Sequence, residues 1–214
     1  VRTRIISAAL LCAATVGIVA CQPTDTAKPS GVASPSTPAA PTSSAATDAE
    51  KSGTVDESQT LALGDSAKTT GDGGTGVLEV TPDTIVFTKE GGGETAENGV
   101  FAVVTMKDKA TTAVAADEPA PIGGGGWKWM APDGEMVAFD SGNSSGVVMD
   151  KYNNADPVQP GTYQWRAQVF DLTPAQAKGG TLIYIDGEEK AFRWKMPATD
   201  SGPNVAEVKK QLEF

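Results

Sequence analysis

The chain has 214 residues, of which 17 are basic and 27 acidic, with no histidine and a formal charge of −10. That balance repels phosphate backbones and anionic head groups and argues against a nucleic-acid binder. The missing imidazole removes the usual general base near neutral pH, the usual triad partner and the commonest metal ligand. Cys12 and Cys21 are the two cysteines, and both lie in or at the edge of an N-terminal apolar run. The remainder of the chain therefore forms neither an internal disulfide nor a Cys/His zinc site.

Arg2 and Arg4 form a short positive region, and Ile5 to Ala20 is an apolar run ending in small residues. This is the layout of a secretory signal, and at about 16 residues it is shorter than the ~20 that span a bilayer. Ile18-Val19-Ala20-Cys21 resembles the bacterial lipobox. The resemblance implies cleavage between Ala20 and Cys21, a diacylglyceryl group on the Cys21 sulfur, and a mature chain of 15 basic and 27 acidic residues held at the outer, extracytoplasmic face of the cell membrane. Two acyl chains anchor durably where one binds only marginally.

Residues 21 to 75 are rich in Ala, Pro, Ser, Thr, Gly and Asp and contain no aromatic side chain. Such a segment buries too little apolar surface to offset its ordering entropy and is expected to be a disordered tether. Its root-mean-square reach is on the order of 40 Å by flexible-chain scaling.

From Val77 the apolar period becomes two, the signature of half-buried strands. Strands are expected at Val77 to Thr81, Thr84 to Thr88, Val100 to Met106, Trp127 to Ala131, Met136 to Asp140 and Gly146 to Asp150. In Thr162 to Phe170, the residues Tyr163, Trp165, Ala167 and Val169 share one face, with Gln164, Arg166 and Gln168 on the other. Thr181 to Ile185 and Ala191 to Met196 complete the set, and Asp133-Gly134 and Asp186-Gly187 are hairpin signals. Thr173-Pro174 suits the start of one helical turn. Val205, Val208 and Leu212 fit a short helix in the tail 198 to 214. Seven or eight short strands in about 120 residues point to an all-β, antiparallel, immunoglobulin-like sandwich over residues 76 to 197.

Leu78-Glu79-Val80, Val103-Val104-Thr105-Met106-Lys107, Ala131-Pro132-Asp133-Gly134, Pro160-Gly161-Thr162-Tyr163 and Val169-Phe170-Asp171-Leu172 together resemble the telokin-like, immunoglobulin-like domains of bacterial envelope lipoproteins classed as DUF4352, which are related to MPT63-type secreted antigens. Asp108 departs from that pattern, where Asn commonly follows the Lys, and so does the insertion Gly123 to Gly126. The resemblance implies a shape and no reaction.

Trp127-Lys128-Trp129 suggests either a stacking platform for sugars or partner proteins, or two indoles packed in the core. Asp133, Glu135, Asp140 and Asp150, or Asp186, Glu188 and Glu189, lack the spacing of a calcium loop, and the Asp-Gly turns already account for two of them. The glycines of Gly71 to Gly76 and Gly91 to Gly93 carry no phosphate-binding Lys-Ser/Thr, so neither a metal nor a cofactor is expected. The function classes left are an envelope binding module for a protein or a cell-wall polysaccharide, a structural subunit of an envelope complex, and, more remotely, a hydrolase.

Overall fold

In the computed structural model residues 60–213 are described; the expected signal and lipobox, with Ala20 and Cys21, and most of the expected tether lie outside them. The strands are β1 (Leu61–Ala62), β2 (Ala67–Thr70), β3 (Val77–Thr88), β4 (Glu90–Gly91), β5 (Glu94–Thr95), β6 (Val100–Ala110), β7 (Gly126–Met130), β8 (Met136–Val137), β9 (Tyr163–Leu172), β10 (Thr181–Ile185) and β11 (Ala191–Lys195), followed by helix α1 (Val205–Leu212). Two sheets of order β1-β11-β10-β7-β8 and β2-β3-β6-β9 make an immunoglobulin-like sandwich, with β4 and β5 a small separate ribbon. All pairings are antiparallel except that of the short β1 with β11, which is parallel.

Among the described residues regular structure begins at Leu61, inside the stretch expected to be tether. β2 pairs residue for residue with β3, and its Ala67 and Thr69 are buried. β2 has no large apolar group and orders because its backbone extends a sheet edge whose N–H and C=O groups need partners, while Leu61 and Leu63 before it pack against the core.

β3 is one strand where two were expected. Its register on β6 slips between Pro82 and Thr84, so Asp83 is an extra, bulged residue. Leu78 and Val80 face the inter-sheet core before the slip and Ile85 after it, an even-to-odd change of parity that a bulge produces.

The core between the sheets is formed by Trp127, Trp129, Leu182, Tyr184, Phe192 and Trp194 on one side. Leu78, Val80, Ile85, Val104, Met106, Phe170 and Leu172 face them. Each fully buried aliphatic or Phe side chain contributes roughly 1.5–3 kcal/mol. A second cluster lies on the outer face of the four-stranded sheet, where Val86, Phe101, Val103 and Val169 are covered by Val147, Met149, Tyr152, Val208 and Leu212. The sheet is thus apolar on both faces over part of its length. Residues 146 to 150, expected as a strand, belong to this cover: Val147 and Met149 are buried and Val148 and Asp150 exposed, but 3₁₀ turns at Ser144–Gly146 and Asp150–Tyr152 flank them and no ladder forms. The alternation is present without strand pairing because the segment packs onto the sheet's face.

Candidate functional site

Trp127 and Trp129 are 1% and 0% exposed. Trp127 borders a surface cleft of about 400 Å³ with Lys128, Met136 and Phe139, yet its ring packs on Tyr184 at 4.6 Å and Trp194 at 5.7 Å. Its Nε1 donates to Glu118 Oε1 at 2.8 Å. Trp129 donates to the Gln176 carbonyl at 3.0 Å and stacks near Phe170, and a Cβ at Gly180 would run into its indole. Of the two readings of Trp127-Lys128-Trp129 the structure favours core packing, because neither ring presents a face to solvent.

Sequence reasoning passed over a charged group inside the sandwich. Arg166, on the β9 face that also carries Phe170 and Leu172, is 7% exposed. Its Nη2 lies 2.8 Å from Asp117 Oδ1, its Nη1 3.6 Å from Glu118 Oε2 and its Nε 3.6 Å from Asp108 Oδ2. Asp108 is fully buried, and neither of its oxygens accepts a hydrogen bond. Burial, then the charge of Glu118 and a hydrogen bond to it, hold the Asp108 carboxyl well above the usual range, and Arg166 offsets this only in part. Three carboxylates around one guanidinium leave a surplus of negative charge, and this favours the protonated form of the buried Asp108. Burial alone would lower Arg166, but Glu118, Asp108 and Asp117 raise it. The Tyr184 hydroxyl is buried without a partner, and its ionisation is pushed far up by burial and by the same carboxylates. These groups tie the segment after β6 to β9, with Asp108 and Arg166 buried and Asp117 about a third exposed. In sequence Asp108 stood out only as a departure from the family pattern, beyond the expected end of the strand at Met106 and between Lys107 and Lys109.

Of the acids considered in sequence, Asp133 and Asp186 serve as turn and loop ties, while Asp140, Asp150, Glu188 and Glu189 make no side-chain hydrogen bond or ion pair among the described residues. Asp133 accepts from the Glu135 N–H, and Asp186 from the N–H groups of Glu188, Lys190 and Thr70, the last fastening the β10–β11 loop to β2. Asp171 accepts from the N–H groups of Glu97, Asn98 and Asn143. Among the described residues no group of three or more His, Cys, Asp or Glu is placed to hold a metal ion.

Exposed aromatic surface appears elsewhere, on the outer face of the four-stranded sheet beyond the cover of α1. Strand pairing puts Lys68, Glu79, Lys109 and Tyr163 in one row and Thr81, Lys107 and Trp165 in the next. Tyr163 is 53% exposed. Lys107 Nζ sits 4.1 Å from the centre of its ring. Trp165 stands edge-on to Tyr163 and to Tyr152, each at 6.3 Å. Lys151 Nζ lies 5.9 Å from the Trp165 ring and 3.8 Å from Glu207. Tyr152 is 2% exposed, its hydroxyl has no partner, and it lines a groove of about 260 Å³ with Asn153, Val147 and Val169. Tyr163 and Trp165 were recognised in sequence as one strand face; what was not visible is that this face lies outside the sandwich.

No protein-family model matches the chain, that of DUF4352 included, and no curated protein sequence matches it. Among solved structures it is similar to the secreted protein MPT63 of Mycobacterium tuberculosis, with a TM-score of 0.46 and 15% identity over 64% of this chain and 97% of that one. The yjhA protein of Bacillus subtilis gives a TM-score of 0.45 and 11% identity over 63% and 98% of the two chains. The ycdA protein of Bacillus subtilis, described as a candidate lipoprotein, gives 0.38 and 12% over 68% of this chain and 42% of that one. At these identities neither activity nor ligand transfers.

Proposed function

We propose that the chain is an extracytoplasmic binding module, held to the membrane through lipid on Cys21, whose binding surface is the outer face of the sheet β2-β3-β6-β9. The observation that carries this reading is the half-exposed Tyr163 beside Trp165, with Lys107 over the tyrosine ring. Flat aromatic rings with nearby polar donors suit the C–H faces and hydroxyls of a sugar polymer better than a protein hot spot, which needs a fully desolvated pocket. A cell-wall polysaccharide is accordingly the partner. The Ile18 to Cys21 sequence supports the location.

The test is co-sedimentation of the chain with purified bacterial cell wall. Tyr163→Ala combined with Trp165→Ala removes sedimentation while leaving the melting transition cooperative. Undiminished sedimentation of the double variant would reject this face as the binding surface.

A further inference from the structure

The rings alone do not account for the charge around them. On a chain of net charge −10, the outer face gathers Lys68, Lys107, Lys109 and Lys151 against Glu79, Asp83 and Glu207. Glu207 answers Lys151, and Asp83 is engaged by Thr105 and Asn204. Lys68, Lys107 and Lys109 enter no ion pair among the described residues. At about 4.8 Å between strands and 3.4 Å per residue, Lys68 and Lys109 stand roughly 10 Å apart with Glu79 between them, and Lys107 and Lys109, with no acid between them on this face, roughly 7 Å.

Resting on the polysaccharide reading, we infer that the ligand is an acidic glycan, a polymer whose sugar rings themselves carry carboxylates. A sugar seated on Tyr163 meets the Lys107 ammonium at the same place, so ring and charge are recognised together. Any sugar seated on the ring displaces that ammonium, at a cost of about 0.5–1 kcal/mol at an exposed site; a carboxylated sugar gives the ammonium a new anionic partner and an uncharged one does not. A polyanion without rings would face the repulsion of an acidic protein with only a few lysines to counter it.

Affinity electrophoresis of the full chain through gels containing polygalacturonate, dextran or polyphosphate separates the contributions. The expected result is retardation by polygalacturonate, weakened by salt, with dextran and polyphosphate each weaker by about tenfold or more, a difference of ~1.4 kcal/mol. Lys107→Gln with Lys109→Gln, and separately Tyr163→Ala, should each cut the retardation about tenfold, with melting temperatures near that of the parent. Dextran retarding the chain as well as polygalacturonate would overturn the acidic requirement. Polyphosphate doing so with Tyr163→Ala unaffected would reduce the face to an ion exchanger. No retardation by any of the three, with cell-wall sedimentation intact, would overturn this inference alone; loss of both would remove the binding-module reading as well.

Discussion

Trp127 Nε1 donates to Glu118 Oε1 across 2.8 Å, and Glu118 in turn lies 3.6 Å from the Arg166 guanidinium. The indole thereby ties the segment after β6 to the charged interior, on top of its packing against Tyr184 and Trp194. Trp127→Ala should cost about 3–5 kcal/mol of unfolding free energy in a denaturant titration. Trp127→Phe keeps most of the packing but leaves Glu118 short of one donor, at about 1–2 kcal/mol. Cell-wall binding per folded molecule should not change in Trp127→Phe.

Asp108 predicts a stability gain from a single neutralising change. Its folded carboxyl titrates above the unfolded one, so its contribution is full below about pH 4 and is lost as pH rises through the raised folded value. The Asp200 carboxyl behaves oppositely. Burial raises it, but the bonds from Lys209 and the Phe87 N–H outweigh that and hold it below the usual range, so its contribution is present above pH 4 and lost on acidification. Asp108→Asn should therefore gain on the order of 1 kcal/mol at pH 7, roughly 3 °C in melting temperature, and the gain should shrink toward pH 4. A loss of stability at pH 7 would mean that Asp108 is ionised and paired with Arg166.

Asp171 is 1% exposed and satisfies three backbone N–H groups from two loops. Asp171→Ala leaves those donors without an acceptor and should cost about 3 kcal/mol. Amide exchange would report it locally, with protection lost at Glu97, Asn98 and Asn143 before the sheets open.

Local signals located the strands well. The alternation in β9, the Pro160-Gly161 turn before it and the two Asp-Gly turns correspond to observed elements, and Thr173 and Gln176 cap each other as the Thr-Pro start suggested. What local pattern could not supply is which face is inside. Tyr163, Trp165, Ala167 and Val169 do lie together, but on the outer face, while Arg166 shares the inner one with Phe170 and Leu172. Period-two reasoning assumes one wet face, and here α1 and residues 144 to 152 cover part of the second. Arg166 misled because its charge reads as solvent-facing, whereas Asp108, Asp117 and Glu118, distant in sequence, make its burial tolerable. The bulge at Asp83 had no signal beyond the Pro82-Asp83 pair, which read as a break between strands. The grouping of Tyr152 with Trp165 was hidden because the two meet only in three dimensions.

The most direct test of the account is backbone amide chemical-shift mapping of the chain on addition of solubilised acidic wall polysaccharide. The predicted perturbations cluster on β6 and β9, at Lys107, Lys109, Tyr163 and Trp165, and extend to Tyr152, with Trp127, Trp129 and Tyr184 unmoved. Perturbations confined to Gly123 to Gly126 and its neighbours, with the outer face silent, would contradict it.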